Sequence, residues 1–255
     1  MRIAELPAPE VAARIAAGHA VLLPMGSTET HGPAMPMGDY LIAEEIALRV
    51  AREAGDALVA PPLAFGGADF FRGVPGGVAL STPTLTALVT EILLALHEGG
   101  ASRIIIINGH GGNIPAIEDS QRALRRSHGA IIPVLHLWKS AGPWQVELGG
   151  SAAALGHGGD PVASVGLHLR PDLCRPENFV PRATPAPFLG LPVSGFGTIR
   201  AQGVDFGVPI ELPEIAPGGV QAVDPSGASP ELGARIVARF IAATTALLAA
   251  MKAAA

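Results

Sequence analysis

The chain has 255 residues, 49% of them hydrophobic and 15% charged, with a formal net charge of -5. That is length for one large domain or two small ones and apolar content for a sizeable core, which excludes a disordered chain. No basic stripe is present, which argues against nucleic acid as a partner. The one cysteine, Cys174, excludes an internal disulfide framework and fits a reducing compartment, so a cytoplasmic location is expected.

The opening Met1-Arg2-Ile3-Ala4-Glu5 lacks the charged-then-apolar pattern of a signal peptide. No uninterrupted apolar stretch reaches the roughly 18 residues of a membrane span. The closest, Ile241 to Met251, is short and carries Thr244 and Thr245, so no membrane partner is expected. Low charge with high apolar content also fits a homo-oligomer, because obligate interfaces cover apolar surface.

Pro9 to Ala17 reads as a short helix with Pro9 in the first turn and Gly18 as its stop. Ala20 to Pro24 is a buried strand. It runs into Gly26-Ser27-Thr28-Glu29-Thr30-His31-Gly32-Pro33, a loop holding a carboxylate and an imidazole two residues apart. In extended backbone both side chains leave one face. Asp39 to Ala54 is a helix, with Ile42, Ile46 and Val50 at four-residue spacing and Gly55 at its end. Ala57 to Leu63 is a second strand. The Gly-rich stretch from Ala64 to Pro83 contains Phe65, Phe70 and Phe71, and a loop of that length in a compact domain is usually functional.

Thr84 to Glu98 is a helix closed by Gly99-Gly100. The continuous Arg103-Ile104-Ile105-Ile106-Ile107 run is the signature of a strand buried on both faces. It delivers Asn108-Gly109-His110-Gly111-Gly112-Asn113, and a helix follows with Asn113 as N-cap and Pro115 in its first turn. Ala130 to Leu137 is a strand with Trp138 at its end. After Lys139 the chain reads as irregular, through Trp144 to Gly156-His157-Gly158-Gly159-Asp160. Ala163 to Leu169 is a short helix. Pro181 to Gly219 reads as loops and short strands, and Ser229-Pro230-Glu231 opens a final helix. This alternation implies an α/β fold with a mainly parallel sheet and helices on both faces. No repeat and no linker-like break is visible, so residues 1–255 are read as one domain.

Ligands of open α/β sheets bind at the carboxyl ends of the strands. Glu29, His31, Asp39, His110, His157 and Asp160 all fall there. They form an oxygen and nitrogen set without thiolates, which suits zinc, manganese or iron(II) in a reactive rather than a structural site. Asp39 equally suits a helix cap, Asp160 a helix start and His157 a surface loop. Trp138, Trp144 and Phe71 are the aromatic candidates for substrate contacts, with core packing the alternative for the tryptophans. No Gly-x-Ser-x-Gly elbow and no Gly-x-x-x-x-Gly-Lys loop is present, which disfavours that class of serine hydrolase and phosphate-loop nucleotide binding.

Together, Pro24-Met25-Gly26-Ser27-Thr28-Glu29-Thr30-His31-Gly32-Pro33, Gly73-Val74-Pro75-Gly76-Gly77-Val78, Asn108 to Asn113 and His157-Gly158-Gly159 resemble the creatininase (creatinine amidohydrolase) family in order and spacing. The resemblance implies a three-layer α/β/α sandwich and a hydrolase of non-peptide C–N bonds with two divalent metal ions per subunit, zinc first and manganese or iron next. Members open creatinine's ring, deformylate a formamidopyrimidine, trim the mycofactocin precursor peptide or hydrolyse a keto-inositol, and many are hexamers. Carried over, Glu29 and His110 look like ligands of one metal and His31 of the second. Asp39 looks like the carboxylate bridging them, and His157 like the general acid/base. The Glu that true creatininases carry two places after the third-block His is Gly112 here, and Asp160 stands where most other relatives carry a compensating carboxylate after His-x-Gly. The family's Glu-Thr-Ser is Val162-Ala163-Ser164. A small-molecule amide is the expected substrate. A cyclic ketone, a small peptide, and a binding protein without turnover are the alternatives.

Overall fold

The computed structural model describes residues 1–254 apart from 180, 183, 217, 222 and 223. Its centre is a four-stranded parallel sheet in the order β2-β1-β3-β4, made of β1 (Ala20–Met25), β2 (Ala57–Val59), β3 (Ile104–Asn108) and β4 (Val134–His136). Every residue of β1 and β3 is buried. Side chains alternate across a sheet, so both strands feed two cores. Leu22, Ile105 and Ile107 pack toward α2 (Asp39–Ala54), α5 (Leu137–Glu147), α6 (Val162–Leu169) and α8 (Pro230–Ala253). Val21, Leu23, Ile104 and Ile106 pack toward α3 (Thr82–Glu98) and α4 (Ile114–His128). The result is the expected α/β/α sandwich, to which α1 (Ala8–Ala16) is added at the start of the chain.

The connections explain where a ligand can enter. After β1 the chain crosses to the α2 face before returning to β2, whereas after β3 it crosses to the α4 face on the way to β4. The chain therefore diverges to opposite faces between β1 and β3, and such a switch point opens a crevice at the strand ends. The loops after Met25 and Asn108, with Glu29, His31 and His110, stand at that crevice.

Several expected boundaries shift for physical reasons. The second strand stops at Val59 because Pro61-Pro62 cannot continue the ladder, and Leu63 keeps a single bridge to Met25. The strand expected from Ala130 shortens to Val134–His136. The segment after Lys139, read as irregular, is α5. Leu137, Ala141 and Gln145 bury one face of it at four-residue spacing, and that burial overrides Gly142-Pro143. Residues 181–219 do form short strands. An antiparallel meander of β5 (Val193–Gly195), β6 (Thr198–Ala201) and β7 (Val204–Gly207) is followed by α7 (Leu212–Ile215). This sheet shares a third core with Phe71, Ile210, Leu212 and Ile215.

Helix α8 is long and apolar enough by length and composition to cross a membrane, which the count of uninterrupted apolar residues did not register. Here it is a packing element, with Leu232, Ile236, Val237, Phe240 and Leu248 buried against the sandwich. Ser229 caps it as expected, its Oγ accepting the Leu232 N–H at 3.1 Å. Its closest approach is to α6 at Gly233, where a β-carbon would stand 2.0 Å from the Ser164 carbonyl oxygen. Alanine is the better helix former by about 1 kcal/mol, yet here it must push two packed backbones apart. Gly233→Ala is therefore expected to lower unfolding stability by about 1–3 kcal/mol in a denaturant titration. A stabilised variant would show that α6 and α8 yield freely.

Candidate metal centre

Glu29 is the hub of the crevice. It is 2% exposed, and its backbone N–H donates to the Met37 carbonyl at 2.8 Å, which ties the loop after β1 to the entry of α2. Asp39 opens α2 but does not cap it. Its Oδ1 accepts the Ser27 N–H at 2.5 Å. This approach requires Gly26, where a β-carbon would lie 2.2 Å from Asp39 Oδ1 and 2.5 Å from the Tyr40 nitrogen. His110 follows β3, and its loop is braced by Asn108, whose Nδ2 donates to the His110 carbonyl at 2.7 Å and to His136 Nδ1 at 3.0 Å.

Asn113, expected as a helix cap, makes no capping bond. It is a fully buried strut instead. Its Nδ2 donates to the Gly26 carbonyl and to Asn108 Oδ1, each at 3.0 Å, and its Oδ1 accepts the Gly67 N–H at 2.8 Å. One side chain thus joins the loops that follow β1 and β3 to the Gly-rich segment.

Among the described residues two groups of donor atoms converge, each within 4.8 Å: Glu29, Asp39 and His110 in one, Glu29, His31 and His157 in the other. His110 Nδ1 is 3.0 Å from Glu29 Oε2 and 3.3 Å from Asp39 Oδ2. His31 Nε2 is 3.4 Å and His157 Nδ1 3.9 Å from Glu29 Oε1. The distal nitrogen of each ring meets a backbone carbonyl, which can only accept. His31 Nδ1–H donates to Pro36 at 3.2 Å, His157 Nε2–H to Thr30 at 2.6 Å and His110 Nε2–H to Gly67 at 3.4 Å. For His31 and His110 this is how metal-binding imidazoles are oriented, with the remaining nitrogen aimed at the ion; for His157 it leaves Nδ1 facing the crevice. Glu29 Oε2 and Asp39 Oδ2 are buried and accept no aligned hydrogen bond, although His110 Nδ1 lies close to both. Two orphan carboxylate oxygens and an imidazole nitrogen facing one point fit a divalent cation.

The electrostatics agree. Burial pushes the Glu29 carboxyl up to about 7 and raises that of Asp39. Burial alone would depress His110, but Glu29 and Asp39 together outweigh it and lift it to about 10. Burial, with the neighbouring imidazoles, holds His31 well below the usual range. Burial takes His157 down to about 4, against the Thr30 hydrogen bond.

Other expected contacts sort differently. Glu29 is common to both groups and Asp39 belongs to the first, where its Oδ1 accepts the Ser27 N–H and its Oδ2 faces His110. Asp160 is buried and lines the cavity, but it joins neither group. Its Oδ1 accepts the Ser164 N–H at 2.9 Å in the first turn of α6, and its Oδ2 accepts Gln145 Nε2 at 3.2 Å. Trp138 lines the cavity and donates its indole N–H to the Gly109 carbonyl. Phe71 lines it too, its ring 4.6 Å from that of His157. Trp144 does not line it. Its ring packs 5.3 Å from Phe240, with the Arg239 guanidinium 5.5 Å above it, because α5 turns that face onto α8. The cavity measures about 720 Å³. Phe196, which lies between Gly195 and Gly197 in the β5–β6 turn, also lines it and was not expected. An aromatic between two glycines was the available signal.

Known proteins resemble the chain over most of its length. The profile of the family described as creatinine amidohydrolase matches residues 4–248. The chain is 32% identical over 234 residues to the mycofactocin precursor peptide peptidase of Mycolicibacterium smegmatis, covering 87% of this chain and 81% of the relative. It is 36% identical over 214 residues to the creatinine amidohydrolase of Pseudomonas putida, covering 75% and 81%. Among solved structures, a creatininase described as the Mn form superposes with a TM-score of 0.74 at 28% identity, covering 97% of this chain and 96% of that one. A mutant creatininase of Zn-Zn type gives 0.75 at 29%, with the same coverage. With a family profile spanning nearly its whole length, and that family's fold around the Glu29 crevice, this chain belongs to the creatininase family of hydrolases.

Proposed function

We propose that the chain is a divalent-metal-dependent amidohydrolase that cleaves a non-peptide C–N bond of a small amide. The observation that carries this reading is the Glu29 carboxylate, which offers one oxygen to each of two converging donor groups. Glu29, Asp39 and His110 would hold one ion, and His31 with Glu29 the second. Such ions polarise an amide oxygen and lower the pKa of water enough to give a nucleophile near neutral pH.

The chain's own residues do the rest. His157 is neutral at pH 7, because burial holds it near 4. Its Nε2–H is fixed on the Thr30 carbonyl, so Nδ1 is the atom that accepts a proton from water and passes it to the departing nitrogen. Water is added across the C–N bond, hydroxyl to carbon and hydrogen to nitrogen. Phe71 and Trp138 keep bulk solvent from this exchange. A second reading, cleavage of a small peptide, is supported by the 32% identity to the mycofactocin precursor peptide peptidase. Turnover of short peptides against lactams and formamides separates the two.

Glu29→Ala and His110→Ala are expected to lose metal and activity together, read by elemental analysis and turnover. Full metal content with full activity in either would end the proposal. His157→Gln is expected to keep its metal and lose roughly 10²–10⁴ in turnover. Unchanged turnover would remove the proton-transfer role, and loss of one metal equivalent would make the ring a ligand instead.

Metal loading should also release protons. A ligand imidazole must be neutral, but His110 in the metal-free protein holds its proton up to about 10. Calorimetric titration of zinc or manganese at pH 7.5, in buffers of different ionisation enthalpy, should show about one proton released from His110, with a smaller share from Glu29. Affinity should rise with pH across this range. Affinity that is flat between about pH 6 and 9 would contradict the assignment.

A further inference from the structure

The cavity says more about the substrate than the metal ligands do. Beside the reacting centre its walls are aromatic. The His157 ring lies 4.6 Å from Phe71 and 5.3 Å from Phe196, and Phe70 meets Phe196 edge-on at 6.2 Å. Phe196 is held rather than loose. It is partly buried in the core between the small sheet and Phe71, 6.0 Å from that ring, and the Val208 N–H donating to the Gly197 carbonyl at 2.8 Å ties the end of its turn to the end of β7.

Among the described residues, no lysine or arginine lines the cavity, while Glu29, Asp69 and Asp160 do. The N-terminal ends of α4, at Gly111–Gly112, and of α6, at Pro161–Val162, also face the cavity. The volume of about 720 Å³ lies within the roughly 300–1,000 Å³ of pockets that bury drug-sized ligands. A single five-membered ring would leave most of these walls without a partner.

Resting on the hydrolase reading above, we propose that the substrate is an amide bearing an aromatic group, and that Phe196 selects it. Hydrolysis places the water oxygen on the acyl carbon and its proton on the leaving nitrogen, so no further reactant is required.

The test uses the full-length, metal-loaded protein and three formamides: N-formylphenethylamine, N-formylmethylamine and the phosphate ester of N-formylethanolamine. Calorimetric binding and kcat/KM are both measured. The aromatic formamide is expected to exceed the other two by at least about tenfold in each. Phe196→Ala is expected to narrow the aromatic-to-methyl ratio by about 10- to 100-fold at unchanged metal content. Phe196→Leu, which keeps an apolar side chain in the turn, is expected to narrow it less and serves if the alanine variant does not fold. Preference for the phosphate ester, equal handling of all three, binding of none, or an unchanged ratio in the Phe196 variants would overturn the proposal. Aromatic-selective binding without turnover would support this pocket assignment and count against the hydrolase reading.

Discussion

The structure is organised around a cost. Glu29 and Asp39 are almost wholly buried, in contact with the buried imidazole of His110 and with two carboxylate oxygens that accept no hydrogen bond. The effective penalty for burying an ion is several kcal/mol each, against a total stability of about 5–15 kcal/mol for a domain. Protonation of His110 relieves part of it: burial lifts Glu29 to about 7, and the two carboxylates beside His110 lift that imidazole to about 10. A divalent cation at the common point would relieve far more, because it would satisfy both orphan oxygens and the imidazole nitrogen at once. The arrangement is uneconomical as a structural ion pair and sensible as a binding site.

The rest of the fold lets that cluster exist. Two wholly buried strands, β1 and β3, fix the loops that carry Glu29, His31 and His110. The divergence of the chain to opposite faces between them opens the crevice. Gly26 admits the end of α2, and with it Asp39. Asn113 then binds the flanking loops through three hydrogen bonds, so the donor atoms stand on a rigid frame rather than on independent loops. The small antiparallel sheet contributes no metal donor; its contribution is Phe196, which gives the same crevice an apolar wall.

Much of this is written in local pattern. Ile104 to Ile107 announces a doubly buried strand, and the spacing of Ile42, Ile46 and Val50 announces α2 from Asp39 to Ala54. Glycine-rich segments placed just after apolar strands mark Glu29, His31 and His110 as site residues, because side chains at strand ends converge without any knowledge of loop geometry. What escapes is decided by approach between distant segments. Asp160 has the chemistry of a ligand, but Gln145 and the Ser164 N–H claim its oxygens. Trp144 looks like a pocket wall until α5 proves helical and turns it onto Phe240. Asn113 has a helix-capping position but is drawn inward by Gly26 and Gly67. Phe196 belongs to a stretch with weak periodicity whose sheet becomes a wall only once it packs against Phe71.

The central claim is that Glu29 joins two metal positions. Anomalous diffraction from crystals loaded with zinc or manganese, recorded at the metal's absorption edge, tests it most directly. Two peaks are expected, both within bonding distance of the Glu29 carboxylate, one shared with Asp39 and His110 and the other with His31. No peak in the crevice, or metal bound away from Glu29, would contradict the account.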